Sequence, residues 1–221
     1  MSSSISGNNE PAVLLFGSLT RSFSQSNLSA LRTAILSSPQ HAWAKDVISS
    51  LPAHYKALVA EIPDLHDMIS KTQIDNLAEW PNTADVSLDT KQLPNSLLAP
   101  LVVIEQLVQY SAFLDSQQAA HQRPVIKETA GFCIGLLSAF AVALTYQSTA
   151  TDFRQNAGVA VRLAMLAGAV VDKQHLQDTR GPSKTLSVAW KRAGPTITSK
   201  SLEDILAEFP EASLFFPPIE P

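Results

Sequence analysis

The segment that most constrains this chain is Gly131-Phe132-Cys133-Ile134-Gly135, which carries the only cysteine of the sequence. Residues 124–130 before it read as an extended stretch, and a run of apolar residues begins at Ile134. A strand, a tight turn flanked by glycines and a helix are the pattern of a nucleophile elbow, which lifts a reactive side chain clear of the backbone. The segment therefore predicts an α/β fold with a nucleophile at Cys133.

Three features of such a turn would serve thioester chemistry. The flanking residues Gly131 and Gly135 give the backbone the conformational room that a tight turn needs. The N-terminus of the following helix favours the thiolate, which is the nucleophilic form of cysteine. The backbone N–H of Ile134 is placed to donate to an oxyanion that forms on a carbonyl.

A simpler alternative is that Cys133 is a small buried apolar residue at a turn, as many free cysteines are. Glycine is scarce in this chain, 8 of 221 residues, so chance seldom places it at both positions of the pattern. The strand before the turn and the helix after it are also the context that the motif requires. We therefore favour the nucleophile.

The N-terminal half predicts a strand followed by helices. Residues 12–16 are continuously apolar and predict a strand buried on both faces of a parallel sheet, ending at Gly17. Asn27 is the predicted N-cap of the first helix. A second helix, residues 42–60, is expected to bend or split at Pro52, and residues 63–94 are expected to form loops and one short helix.

The second half predicts further helices around the turn. A strong internal helix is expected over residues 97–114, followed by a polar connector, and helices over 134–146 and 152–171 follow the predicted strand. Near the C-terminus, the sequence predicts a strand at 185–190, a helix capped by Ser201 and a strand from Ser213 to Phe216.

Composition excludes several classes of function. The net charge of −4 and the absence of a basic cluster argue against nucleic acid or an anionic membrane surface as a partner. One cysteine allows no internal disulfide, which fits a cytoplasmic protein. Residues 1–11 lack the pattern of a signal peptide and predict a disordered tail. The apolar stretch Ile134–Leu144 is too short to cross a bilayer, so it predicts a buried helix.

At this point the sequence resembles a known family. The run from Gly131 to Ala143 is similar to the nucleophile segment of starter-unit acyltransferase domains in fungal non-reducing polyketide synthases. Leu15-Phe16-Gly17, the stretch Leu101–Tyr110 and the stretch Ala160–Ala164 agree with that family in order and spacing. The resemblance covers nearly the whole chain after residue 11.

The resemblance implies a fold and an activity. The fold is a malonyl-transferase-like core, itself similar to α/β-hydrolases, with an inserted ferredoxin-like subdomain. The core would span residues 12–182, and 183–221 would begin the subdomain. The activity is transfer of a starter acyl group from acyl-CoA, or from a partner synthase, through an acyl-cysteine to the phosphopantetheine of an acyl carrier protein. No tightly bound cofactor or metal is implied, and the other domains of a synthase are the expected partners.

Three departures from the family sharpen this expectation. Relatives take a second oxyanion donor from a backbone N–H just after the first strand, where this chain has Leu19. The arginine that grips the carboxylate of malonyl substrates aligns with Ala167, which favours a neutral acyl group. The family's histidine base lies in a late segment, and none of His41, His54, His66, His121 and His175 is assigned to it. A catalytic histidine is thus not expected within this chain.

Two other functions stay open at this stage. The absent histidine is consistent with a catalytically silent domain that has a structural or docking role in a larger synthase. A cysteine hydrolase of the dienelactone-hydrolase type also carries a G-x-C-x-G turn. It needs an aspartate and then a histidine after the nucleophile, and this chain has no histidine after His175.

Overall fold

A computed structural model describes residues 12–17, 24–83, 86, 88–89, 93–119, 125–145 and 150–177. This part of the chain is mostly helical, with a small parallel sheet of two strands, which is compatible with the α/β class. The elements in chain order are β1 (Ala12–Phe16), α1 (Gln25–Ser37), α2 (Ala42–Glu61), α3 (Lys71–Glu79), α4 (Asn95–Ala119), β2 (Ile126–Gly131), α5 (Gly135–Ala143) and α6 (Ala150–Gln177), with single 3-10 turns at Pro39–His41 and Pro63–Leu65.

The two strands pair in parallel and bring the beginning of the chain to Cys133. Ala12 is opposite Ile126 and Phe16 is opposite Gly131, with an irregularity in the register after Ala12. Both strands were predicted in these places. The prediction that β1 is buried on both faces is wrong. Val13 and Leu15 are 52% and 78% exposed, because the described helices cover only the face that carries Leu14 and Phe16.

Helix α4 is the centre of the hydrophobic core. Leu101, Ile104 and Leu107 are fully buried in it, and it packs most extensively against α6. Within the described residues it is also the one helix long and apolar enough to cross a membrane, over Asn95–Gln117 with a mean hydropathy of 1.6. More than half of that stretch, 56%, is buried inside the protein, as expected for an internal helix.

One prediction for the first helices, the N-cap of α1, is wrong. The N-cap of α1 is Ser24, and Asn27 lies three residues into the helix. There the side chain of Asn27 accepts a hydrogen bond from the Ser24 N–H at 3.0 Å and donates to Glu105 of α4 at 2.9 Å. Asn27 is thus drawn into the helix by its partner on α4. Helix α2 runs continuously through Pro52, so the chain is not split there, and a bend at Pro52 stays a prediction.

The helices near the turn also differ from expectation in length. Helix α5 ends at Ala143, because the Thr145 hydroxyl donates to the carbonyls of Ala141 and Val142 at 2.8 and 3.0 Å and closes the last turn. Helix α4 continues to Ala119, into the residues predicted as a connector. Helix α6 continues to Gln177, beyond the end predicted at residue 171, so the polar run that begins at Asp172 is helical.

The reason that α6 continues is a buried contact between Asp172 and the first turn of α4. The Asp172 carboxylate accepts hydrogen bonds from the N–H groups of Asn95 and Ser96 at 2.9 and 2.8 Å, and from the Asn95 amide at 2.9 Å. It therefore caps α4 from another helix and lies at the positive end of its dipole. One turn earlier, a side chain on Gly168 would collide with the backbone of Asn95, so the glycine allows this approach.

Asp172 also acts on a neighbouring phenol. The Tyr55 hydroxyl donates to the Leu65 carbonyl at 2.7 Å and is buried. Burial, and to a lesser extent the negative charge of Asp172, raises the pKa of Tyr55 to about 12. The phenol therefore stays neutral and keeps its hydrogen bond across the physiological pH range.

We expect Asp172→Ala to lower the free energy of unfolding by about 2–4 kcal/mol, since the buried N–H of Ser96 and the partly buried N–H of Asn95 would lose their charged acceptor. Urea unfolding followed by circular dichroism measures the change. Asp75→Ala is the matched control, because Asp75 is exposed on α3 and should change stability by less than about 0.5 kcal/mol. Equal midpoints for the two variants would contradict the capping role.

The chain divides into two compact units, Met1–Pro182 and Ser183–Pro221. The second unit lies outside the described residues. The strands predicted at 185–190 and 213–216, the helix capped by Ser201 and the ferredoxin-like subdomain therefore stay predictions, as does the tail at residues 1–11.

Candidate active site

The turn between β2 and α5 carries Cys133 at the end of the parallel sheet. The Phe132 N–H donates to the Phe16 carbonyl at 2.9 Å, which extends the strand pairing by one residue. Beyond this bond the chain turns at once, since the N–H groups of Gly135 and Leu136 donate to the carbonyls of Phe132 and Cys133, each at 3.1 Å. Only Cys133 and Ile134 separate the extended backbone at Phe132 from helix α5.

Cys133 has a backbone φ of 56°, and it is the one non-glycine residue with positive φ among the described residues. This left-handed conformation costs a residue with a Cβ about 1–2 kcal/mol, so it persists only where the surroundings impose it. Such strain clusters at functional sites. A strained and exposed cysteine at this turn is therefore the candidate nucleophile.

The surroundings that impose this conformation depend on the two glycines. A Cβ on Gly131 would lie closer than 3.0 Å to the backbone of Gly135 and Leu136. A Cβ on Gly135 would lie equally close to the backbone carbonyls of Phe16 and Gly17. The end of β1, the end of β2 and the start of α5 therefore approach each other more closely than any side chain permits.

The turn leaves both the thiol and one backbone donor accessible. Cys133 is exposed, so the alternative that it is a small buried apolar residue is wrong. The Ile134 N–H donates no hydrogen bond to any described residue, whereas its side chain is buried at 8% exposure. A group bound at the sulfur would find this N–H unpaired at the N-terminus of α5.

Exposed apolar side chains lie on the turn and on the helix that follows it. Phe132, next to Cys133, is 70% exposed, and Leu136 and Phe140 follow on one side of α5 at 47% and 56%. Their spacing of four residues places the last two on one helix face. None of these side chains can pair with a charged substrate.

The remaining residues singled out in the sequence are not assembled around Cys133 in the described structure. Leu19 lies outside the described residues. Ala167 lies on the exposed side of α6, and His175 lies in α6 near its end. His41 is buried with its Nδ1 at 2.9 Å from the Ala34 carbonyl.

The other described histidines lie in polar surroundings. His66 pairs with Asp67 on the surface. His54 lines a groove of about 230 Å³ between α2 and α6, together with Arg154 and Arg162, and Cys133 does not line this groove. No histidine hydrogen-bonds the thiol within the part of the chain that the structure describes. The same residues contain no group of three histidine, cysteine or acidic side chains placed to hold a metal ion.

Sequence reasoning missed two polar residues beside the turn. Gln106 on α4 and Ser138 on α5 hydrogen-bond to each other, and Gln106 also reaches the Gly17 carbonyl. The available signal was Ser138, a lone hydroxyl in an otherwise apolar helix, which needs a partner when it is buried.

Comparison with known proteins identifies the family. Residues 14–216 match the family model described as starter unit:ACP transacylase in aflatoxin biosynthesis. The chain is 38% identical over 206 residues to the non-reducing polyketide synthase pigA of Monascus ruber, which covers 90% of this chain and 8% of that protein.

Two further relatives give the same result. The non-reducing polyketide synthase epaA of Aspergillus niger is 38% identical over 199 residues, covering 90% of this chain and 7% of the relative. Clavatol synthase claF of Penicillium crustosum is 35% identical over 211 residues, covering 91% of this chain and 8% of the relative. The chain thus spans less than a tenth of the length of these relatives. Because the family model matches nearly all of the chain from β1 onward, this chain belongs to the starter unit:ACP transacylase family.

Proposed function

We propose that this chain transfers a neutral starter acyl group from acyl-CoA, by way of a thioester on Cys133, to the phosphopantetheine thiol of an acyl carrier protein. The observation that carries the proposal is the exposed thiol of Cys133 at a positive φ between a parallel strand and a helix. A strand, a tight turn and a helix in this order are what a nucleophile elbow requires, and membership of a transacylase family supports this interpretation.

The first half-reaction follows from the geometry of the turn. The Cys133 thiolate attacks the carbonyl carbon of the acyl-CoA thioester, and a carbon–sulfur bond forms as the carbonyl oxygen becomes an oxyanion. The unpaired N–H of Ile134 donates to that oxyanion. The intermediate then collapses, the bond to CoA breaks, and the CoA thiolate takes a proton from solvent.

The second half-reaction is the same chemistry with another thiol. The phosphopantetheine thiolate of the carrier protein attacks the acyl-cysteine carbonyl, and Cys133 leaves as thiolate. Cysteine is the nucleophile that depends least on a neighbouring base, so acylation of Cys133 does not require a histidine in contact with it. Leu19 is the proposed source of a second backbone donor.

The preference for a neutral group has two supports. The position at which malonyl-selective relatives carry arginine is Ala167, so no guanidinium from this position is available to a substrate carboxylate. The exposed side chains beside the thiol, Phe132, Leu136 and Phe140, are apolar. None of them offers a carboxylate a cation or a hydrogen-bond donor.

Acyl-CoA labelling of the chain tests the proposal. We expect acetyl-CoA and hexanoyl-CoA to add one acyl group by intact-protein mass spectrometry, and malonyl-CoA to add much less. Because Cys133 is the only cysteine, removal of the adduct by neutral hydroxylamine assigns it to this residue as a thioester. Addition of a holo carrier protein should then discharge it.

Two outcomes would favour other functions. Absence of any adduct would contradict acyl transfer and support the catalytically silent domain. An adduct that water removes quickly, with no transfer to the carrier, would support the cysteine hydrolase. The family match favours the transacylase over that hydrolase.

A further inference from the structure

The side chain of Gln106 connects the two elements that meet at the turn of Cys133. Its amide nitrogen donates to the carbonyl of Gly17, directly after β1, at 2.9 Å. Its amide oxygen accepts a hydrogen bond from the hydroxyl of Ser138, one turn into α5, at 2.6 Å. The side chain comes from α4, so the central core helix holds the end of β1 and the start of α5 together.

We propose that Gln106 is a positioning residue that fixes the direction of the Ile134 N–H toward the acyl carbonyl by joining Gly17 to Ser138. The inference rests on the proposed acyl transfer at Cys133. The two hydrogen bonds of Gln106 involve neither the Cys133 sulfur nor the substrate, and their proposed effect is on the rate of acylation.

The polarity of this network fixes one arrangement. The Gly17 carbonyl, in an exposed contact, accepts from one end of the carboxamide, and the buried Ser138 hydroxyl donates to the other end. Ser138 is fully buried, so its hydroxyl cannot turn to water instead. Of the uncharged side chains as long as glutamine, only a carboxamide satisfies both contacts.

The hydrogen bonds of Gln106 lie where the end of β1 and the start of α5 approach each other closely. The Gly17 carbonyl that accepts from Gln106 also lies against Gly135, where a Cβ would come closer than 3.0 Å. Gly135 directly follows Ile134 in the chain. A shift of Gly17 or of Ser138 therefore moves the first residue of α5 and turns the N–H beside it.

Such a shift slows only reactions in which an oxyanion forms. An oxyanion donor acts over a narrow distance, about 2.7–3.1 Å, so a small displacement weakens stabilisation of the tetrahedral intermediate. Alkylation of the same thiol by iodoacetamide is a direct displacement at a saturated carbon and forms no oxyanion. The two reactions therefore separate positioning of the N–H from reactivity of the thiol.

Gln106→Met tests the inference, because methionine has a similar length and flexibility and lacks both hydrogen-bonding groups. We expect the rate of acylation of Cys133 by acetyl-CoA to fall about tenfold to a hundredfold. The rate of alkylation by iodoacetamide should stay within about twofold of wild type, since the thiol stays exposed and this reaction does not use the Ile134 N–H. Ser138→Ala should change the two rates in the same directions, because it removes the other hydrogen bond.

Gln109→Met is the matched control. Gln109 lies three residues further along α4, is exposed, and hydrogen-bonds only Glu105 of its own helix, so both rates should match wild type. The free energy of unfolding of all variants is measured alongside the rates.

The outcomes separate this inference from the proposed function. Acylation of wild type and of Gln106→Met at the same rate would overturn the positioning role and leave acyl transfer in place. The positioning role would also be overturned if Gln106→Met lost acylation and alkylation equally, or if its slower acylation was fully explained by a larger fraction of unfolded protein. Gln106 would then be merely structural. No acylation of wild type would overturn both.

Discussion

Cys133→Ala is expected to abolish the acyl adduct completely while the free energy of unfolding changes by less than about 1 kcal/mol. The thiol is exposed and makes no hydrogen bond to a described residue, so its removal leaves no buried group without a partner. Alanine keeps the Cβ and with it the strain at φ 56°. Intact-protein mass spectrometry after incubation with acetyl-CoA measures the loss, and urea unfolding checks the fold.

Cys133→Gly makes this experiment sharper. Glycine adopts positive φ freely, so it relieves about 1–2 kcal/mol of strain, against about 0.4–1 kcal/mol of added chain entropy in the unfolded state. We expect Cys133→Gly to be at least as stable as Cys133→Ala and equally unlabelled. A residual adduct on either variant would place the acyl group elsewhere. A clear loss of stability in the glycine variant alone would contradict the strained turn.

Gly135→Ala is expected to destabilise the chain by about 3–5 kcal/mol, at the upper end of what single substitutions cost. The new methyl group would collide with the carbonyl groups of Phe16 and Gly17, and backbone atoms cannot move aside as a flexible side chain can. Relief therefore requires β1 to separate from α5. The midpoint of urea unfolding, followed by circular dichroism, measures the loss.

Gly158→Ala is the matched control for that substitution. Gly158 lies within α6, and the nearest atom to an added Cβ is a methyl group of Val47 at 3.9 Å, an ordinary contact. Alanine there should be neutral or should stabilise the chain by up to about 1 kcal/mol, because it favours helix more than glycine does. If Gly135→Ala were as stable as Gly158→Ala, the close approach described for the turn would be wrong.

The sequence predicted the elements around the turn because their signals are local. The apolar run of residues 12–16, the glycines on both sides of Cys133 and the apolar run after it each act within a few residues. The structure contains β1, β2 and α5 in these places. The positive φ at Cys133 is consistent with the tight turn predicted between strand and helix.

What the sequence could not predict depends on contacts between distant residues. Asn27 has the chemistry of an N-cap, yet its contact with Glu105 of α4 places it inside α1. Asp172 stands in a polar run typical of a loop, and only its contact with the first turn of α4 makes it helical and buried. Gln106 resembles any surface glutamine until Gly17 and Ser138 are known to lie beside it.

The exposure of β1 likewise depends on partners that no local pattern reveals. A continuous apolar run predicts burial on two sides, and the described helices cover one. Malonyl-transferase-like architecture and the subdomain after residue 182 stay predictions for the same reason, since they concern the assembly of elements outside the described residues.

The parallel pairing of Ala12–Phe16 with Ile126–Gly131 has a consequence for the order of folding. Helices α1 to α4 all lie between the two strands in the chain, so closing this pair carries the entropy cost of a long loop. Contacts of such long range form late, after local helices have developed. The turn at Cys133 is anchored to β1 through Phe16, so we expect Cys133 to acquire its geometry only after the two strands have paired. Recovery of the acylation rate during refolding would therefore report completion of the native topology, whereas recovery of helical circular dichroism would precede it.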